Sequence, residues 1–440
     1  MSAHVWVFHA VDTEGPLFET PEETVARVNR SCGLALSCDR ATLDGLKAGT
    51  IDVGAAAPAV ATLLRYSSFL GDWGELGQML DRVGAADFRA AHADSFGRPW
   101  IYNWHIMDHV GYEINPRRRD IGFNNVFYFY DRWLARNDFA DQIGFHFHPQ
   151  HVYPQAHLSA TLYDPSPWLH QSLLHRLIDR GFFPRSFRAG FHSERPDAHA
   201  FLEQWIPHDF SNQAIADDRT TAGQVDVDGH RFGDWRRAPT SWGWYHPHHD
   251  DHQRPGACRR RIFRCLNVGT RLRCITVSDI DAAFAQAATA DAPVWLMVTN
   301  HDFRDMAPDV AWLKKHLDAA SARAGLPWHI GNIDDTFAAW RAAPVSVRSE
   351  WQTHGGLTQL TLTYDAPIFG PQPYLGLRLT NELYRRDNFD IVEPFRRFTY
   401  CFDDNTIPIA RVDDIVVGTN DRGGNAVVTV LRRDGKNIDR

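Results

Sequence analysis

Residues 142–151 read QIGFHFHPQH. The opening Gln142-Ile143-Gly144-Phe145 has the short apolar character of a strand, and His146, His148 and His151 follow at its end. Side chains two apart on a strand share a face, about 7 Å apart along the chain, so His146 and His148 project side by side. Two imidazoles so placed suit one metal ion with bonds of about 2.0–2.1 Å. The chain has 23 histidines, so the cluster gains meaning only from what the other strands deliver.

Three further strand-like runs end the same way. Val5–Val11 runs into Asp12-Thr13-Glu14-Gly15, and Arg185–Ala189 contains Arg188 and runs into Gly190-Phe191-His192. Pro293–Thr299 runs into Asn300-His301-Asp302. Between and around them, helical spacing covers Glu75–Val83, Asn124–Arg136, Pro167–Asp179, Pro196–Trp205, Val277–Ala288, Pro308–Ala324 and Ile333–Arg341. Strand–helix alternation over this length predicts an α/β fold with a mostly parallel sheet, whose chemistry collects at the carboxyl ends of the strands. After Arg341-Ala-Ala-Pro-Val345 the period changes to two, at Gln359–Thr363, Leu375–Thr380, Phe398–Phe402, Ile409–Val412 and Ala426–Leu431. That predicts a small β-sandwich. The expected domains are residues 1–342, with a long insertion at about 30–130, and residues 345–440.

Composition narrows the partners. A net charge of −8 argues against general nucleic-acid binding. Six cysteines without a C-x-x-C pair are too few for a disulfide scaffold and read as reduced thiols. No apolar run approaches the roughly 20 residues that span a bilayer, and no export signal is visible, so a cytoplasmic location is expected. A homo-oligomer is compatible with the sequence. The fifteen Trp and 27 Phe either fill a large core or provide sugar-stacking platforms. Ser241–His252 (SWGWYHPHHDDH) is dense in such rings, which makes Trp242, Trp244 and Tyr245 candidates for a cleft wall. The basic clusters Arg117-Arg118-Arg119 and Arg259-Arg260-Arg261/Arg264 are either solvated faces or sites for substrate phosphate or carboxylate.

The ordered set Asp12/Glu14, His146/His148, Arg188-Ala189-Gly190-Phe191, Asp234-Trp235 and Leu296–His301 resembles the five motifs of the polysaccharide deacetylases, the NodB-homology family or carbohydrate esterase family 4. The likeness spans roughly residues 5–340 and implies a distorted (β/α) barrel. It departs from the family in three places. Thr13 separates acids that are usually adjacent, Gln150 stands four after His146 where a second histidine is usual, and Gly190 replaces a customary proline. His151, or a histidine of 246–252, therefore remains an alternative ligand.

The resemblance implies a mechanism. Glu14, His146 and His148 would hold one divalent ion, zinc being the expected one, and Asp12 would be the general base, oriented by Arg188. A backbone N–H near Gly190 or Phe191 would stabilise the oxyanion. His301 would protonate the leaving amine, with Asp302 or Asp234 tuning it. Asp234, Trp235, Trp242, Trp244 and Tyr245 would contact the substrate. The implied reaction removes an N-acyl group, typically acetyl, from an amino sugar; the basic clusters and the expected cytoplasmic location add the expectation of a nucleotide- or lipid-linked sugar in bacterial surface-polysaccharide assembly. Two alternatives stay open: hydrolysis of a small non-sugar amide, and non-catalytic carbohydrate binding on the same fold.

Overall fold

A computed structural model describes residues 4–17, 20–65, 69–111, 120–148, 167–192, 194, 196–215, 235–269 and 273–432. The chain opens with β1 (Val5–Thr13), followed by helices α1 (Pro21–Cys32), α2 (Arg40–Ala48), α3 (Ala57–Arg65), α4 (Trp73–Gly84) and α5 (Ala86–Ala91). Then come β2 (Asn103–Ile106), α6 (Asn125–Leu134), β3 (Gln142–Phe147), α7 (Pro167–Arg180), β4 (Ser186–Ala189), α8 (Pro196–Trp205) and β5 (His208–Asn212). Short strands β6 (Trp244–Tyr245), β7 (Pro247–His248) and β8 (Asp251–Pro255) precede β9 (Arg261–Asn267), α9 (Val277–Thr289), β10 (Val294–His301), α10 (Ala307–Ala324), β11 (Trp328–Gly331) and α11 (Ile333–Phe337).

Seven parallel strands close on themselves in the order β1-β2-β3-β4-β5-β9-β10, with β10 pairing both β9 and β1. The protein is therefore a closed parallel β/α barrel. β11 lies beside Val5–Phe8 of β1, and β2 takes over beside Ala10–Thr13. Strand β2 falls inside the stretch expected to be an insertion. At four residues, flanked by Trp100, Ile101 and Tyr102, it gave no alternating pattern to recognise, although it supplies His105 to the barrel.

Period two decides what enters the lumen. On β1, Val5, Val7 and Val11 pack outward with α4, α6, α9 and α10, whereas Phe8 and Ala10 face Phe210, Phe263, Cys265 and Met297 inside. Ile333 and Phe337 of α11 close the amino-terminal end of the lumen, with Phe337 stacked 3.7 Å from the His208 ring. Above the Phe8 layer the lumen turns polar. Phe145 and Phe147 of β3, and Phe187 and Ala189 of β4, belong to the outer core against α7 and α8, so His146 and Arg188 face in.

Beyond the barrel, strands β12 (Val347–His354), β13 (Leu357–Tyr364), β14 (Tyr374–Leu379), β15 (Tyr384–Asp387), β16 (Asp390–Glu393), β17 (Arg397–Phe402), β18 (Val412–Asn420) and β19 (Ala426–Arg432) form two antiparallel sheets. Their orders are β12-β13-β17-β16 and β15-β14-β18-β19. Leu360, Leu362, Phe398, Leu375, Leu377 and Val417 fill the space between them. Ile409–Arg411, expected to be extended, is a single 3-10 turn closed by Arg411 N–H to Pro408 O at 2.8 Å, and the strand starts at Val412. The second sheet lies directly on α7: a Cβ at Gly418 would stand 2.9 Å from Leu177 Cδ1. Among the described residues no helix is long and apolar enough to cross a membrane.

Candidate metal centre

At the carboxyl end of the barrel, the ends of β1, β3, β4 and β10 bring Asp12, Glu14, His146, His148, Arg188 and His301 together. Asp12 pairs with His301 across β1–β10 and with His105 across β1–β2, and His146 pairs with Arg188 across β3–β4. The separated acids now have a physical reason. Thr13 turns its hydroxyl to His105 O at 3.0 Å, and Asp12 and Glu14 on either side of it share the inward face.

Glu14, His146 and His148 each offer one ligand atom, and these atoms lie within 4.8 Å of one another. His148 Nε2 is 3.1 Å from Glu14 Oε1 and 3.0 Å from His146 Nε2, and His146 Nε2 is 3.8 Å from Glu14 Oε1. The His146 tautomer follows from its far nitrogen. Nδ1 is 2.9 Å from Arg188 O, which can only accept, so Nε2 presents a lone pair to the other two. Burial, opposed by Asp12, pushes the His146 pKa down to about 3, which keeps the ring neutral. Tetrahedral bonds of about 2.05 Å put ligand atoms about 3.3 Å apart, and the observed separations bracket that value. The residues thus fit a divalent cation, held by two imidazoles and a carboxylate with positions left for other ligands.

The close approach of His148 accounts for glycine at position 190. A Cβ there would stand 2.3 Å from His148 Cδ2 and 2.6 Å from its Cα, so only glycine lets His148 lie across the end of β4.

Asp12 Oδ1 lies 3.8 Å from His146 Nδ1, and the carboxylate is held by a two-pronged pair, Arg188 Nε to Oδ1 at 2.6 Å and a terminal guanidinium nitrogen to Oδ2 at 3.1 Å. Burial alone would raise its pKa. Arg188, His146 and His301 outweigh that and hold the carboxyl well below its usual range. His301 Nε2 lies 3.8 Å from Asp12 Oδ2 and 3.6 Å from Glu14 Oε1. Burial, again opposed by Asp12, pushes the His301 pKa down to about 3.

The Asp302 carboxylate is held against the turn after β1. Its Oδ1 accepts the Glu14 N–H at 2.8 Å, and its Oδ2 accepts the Gly15 N–H at 3.0 Å and the Tyr130 hydroxyl at 2.6 Å. It fixes the turn that aims Glu14. Tyr130 was invisible to sequence reasoning because it reads as one more apolar position of α6, where it is fully buried. Outer-shell partners of metal ligands typically contribute 10–100-fold to metal affinity. Tyr130→Phe is therefore expected to weaken zinc binding by about tenfold, at the low end of that range, read by competition with a chromogenic chelator.

Several expected substrate contacts lie elsewhere. Trp242 is buried against α9, its indole N–H donating to Asp279 O at 2.9 Å. Trp244 and Tyr245 pair with Phe263 and Ile262 near the amino-terminal half of β9, and Trp244 meets Trp340 beyond α11, at the opposite end of the barrel. Tyr245 is buried, with its hydroxyl on His252 O. None of the three walls the site: Trp242 is buried against α9, and β6, antiparallel to β9, carries Trp244 and Tyr245 away from the carboxyl-end rim. Trp235 is fully buried and donates to His192 O at 2.8 Å, which makes it a support for that turn and not a stacking platform. The ring contacts of His246, His248 and His249 go to the Arg260 carbonyl, Asp250 and Cys258, and the His252 ring packs on Trp235 and His199. None joins the ligand cluster. The second basic cluster is also committed: Arg260 pairs with Glu194 and Asp209, Arg264 with Asp279, and Arg259 with Glu203, while Arg261 lies over the Trp340 ring. The Phe191 side chain, Gln150, His151, Asp234 and Arg117–Arg119 lie outside the described residues.

No family model matches the chain, and no curated protein matches it. Among solved structures, a double mutant of an endo-β-1,4-mannanase from Cellulomonas fimi aligns at 8% identity over 97% of this chain and 93% of that one, with a TM-score of 0.19. A likeness at that level carries no argument about activity. What defines the class is the geometry: a closed parallel β/α barrel with antiparallel sheets at its carboxyl terminus, carrying a candidate Glu/His/His metal site at the carboxyl ends of its strands.

Proposed function

We propose that this protein is a metal-dependent hydrolase that removes an N-acyl group, typically acetyl, from an amino sugar, as a divergent member of the polysaccharide deacetylase class. The observation that carries the reading is the convergence of Glu14, His146 and His148 beside the Asp12–Arg188 pair. Glu14, His146 and His148 would hold a divalent ion, which would supply Lewis-acid chemistry for the acyl group and the attacking water. Arg188 keeps Asp12 ionised and turned toward the attacking water, whose proton Asp12 accepts. His301 is neutral at rest, so it can become a proton donor only after receiving one. Asp12 Oδ2, 3.8 Å from its Nε2, is placed to pass that proton on toward the leaving nitrogen. The C–N bond breaks as the amine takes it, so water is divided between acid and amine.

One observation favours a second reading, a small non-sugar amide as substrate. The aromatic residues that argued for a sugar-stacking wall are not at the rim. Acetate release separates the two readings. Zinc-loaded protein is expected to release acetate from N-acetylglucosamine or its oligomers, to stop in chelator and to recover with added zinc. Release only from small acyl amides would move the assignment to the second reading, and activity indifferent to chelation would remove both.

A further inference from the structure

His192 follows Gly190 and Phe191 in a single turn after β4, with φ +51°, a left-handed conformation that non-glycine residues seldom adopt. Such conformations persist where the surroundings over-determine them, and they collect at active sites. The surroundings here are explicit. Trp235 holds the His192 carbonyl, and the ring lies buried 6.2 Å from the His301 ring, nearly perpendicular to it.

Its tautomer can be read from a chain of fixed groups. Cys265 O can only accept, so Gln213 Nε2, 2.9 Å away, is the donor, which settles the Gln213 amide. Gln213 Oε1 is then the acceptor for Asn267 Nδ2 at 3.2 Å, which settles the Asn267 amide. Asn267 Nδ2 also faces His192 Nε2 at 3.4 Å, so Nε2 accepts and the ring proton sits on Nδ1. Burial, reinforced by Arg188 and His301, holds the His192 pKa well below its ordinary value, so the ring carries that one proton only. Among the described residues Nδ1 is buried and has no hydrogen-bond partner. A buried donor left unpaired costs its full desolvation, and a ligand oxygen would relieve it.

We infer that His192 is a substrate-contacting residue, whose Nδ1–H donates to an oxygen of the substrate beside His301. The oxygen is either the acyl oxygen as charge develops on it or a ground-state carbonyl or hydroxyl. The kinetic part of the test and the choice of acetate as probe rest on the deacylase reading above; the tautomer does not.

Two measurements test the inference. In zinc-loaded, nitrogen-15-labelled protein, long-range proton–nitrogen correlation is expected to show His192 protonated at Nδ1, and acetate, the expected product, should move that resonance. An Nε2–H tautomer, or no response to acetate at saturation, overturns the inference. In steady-state kinetics, His192→Phe should lose about 10²–10³-fold with metal content unchanged, the usual loss for one oxyanion donor. The loss falls in kcat if the acceptor is the developing oxyanion, and in KM if it is a ground-state oxygen. His192→Asn should recover to within about tenfold, because asparagine tolerates positive φ and its amide nitrogen stands where Nδ1 stood. Asn267→Asp should mimic the Phe variant, since a carboxylate accepts from Nε2–H and strips Nδ1 of its proton. Wild-type rates in His192→Phe, or equal losses in Phe and Asn, overturn the contact. If the wild type releases no acetate while the Nδ1 resonance still answers to acetate, the deacylase reading fails and the His192 contact stands.

Discussion

Asp12→Asn is expected to keep its metal and lose turnover by about 10²–10⁴-fold, the usual contribution of a positioned general base. The two outcomes separate because Asp12 is not one of the converging ligand atoms. Its Oδ1 lies 3.8 Å from His146 Nδ1, the nitrogen already bonded to Arg188 O and turned away from the converging atoms. The substitution also leaves a mark on stability. Arg188 is fully buried and donates to both carboxylate oxygens. Asparagine offers one acceptor and turns an N–H₂ toward a group that only donates. Removing one partner of a buried pair typically costs about 3–5 kcal/mol, and the retained acceptor should place this variant at the lower end. The pH dependence has a definite sign. A carboxyl held below its ordinary pKa contributes stability above about pH 4, and that contribution is lost as pH falls toward the folded-state value. The gap in melting temperature between wild type and Asp12→Asn should therefore narrow as pH drops below about 4. Full activity in the variant would end the assignment of Asp12 as base.

How much of this was legible depended on whether the signal was local. The lumen-facing acids, the paired histidines and Arg188 were readable because strand alternation and the position after a strand are properties of short segments. The converging distances among Glu14, His146 and His148 make that grouping a candidate metal-binding triad. The same logic failed wherever the decisive contact was remote in sequence. Trp242, Trp244 and Tyr245 form an aromatic-rich segment, but the antiparallel turn onto β9 that carries them off the rim depends on Phe263 and Ile262, some twenty residues later. Tyr130 and Asp302 meet across 172 residues. β2 was missed because four residues cannot show a period. The glycine at 190 looked like a defect in a motif until the His148 ring was seen lying against it.

Replacing His146 and His148 together by alanine is expected to take bound metal from about one ion per chain to background, and turnover down by about 10³-fold or more, as the loss of several kcal/mol of Lewis-acid stabilisation requires. Two of three donor atoms disappear, and the Glu14 carboxylate alone offers no competition to water for zinc. The thermal consequences separate a ligand pair from a merely structural one. Without an ion, His146 Nε2 faces His148 Nε2 at 3.0 Å, the former carrying no proton. Removing the rings therefore also removes a polar contact that only a cation or a shared proton makes favourable. Zinc at 100 times its Kd should stabilise the wild type by about 2.7 kcal/mol and leave the double variant unmoved. A structural pair would instead give a variant that melts lower yet still responds to zinc. Such a response, with one ion still bound, would transfer the metal to other donors on this rim, and His301, 3.6 Å from Glu14 Oε1, would be the first to test.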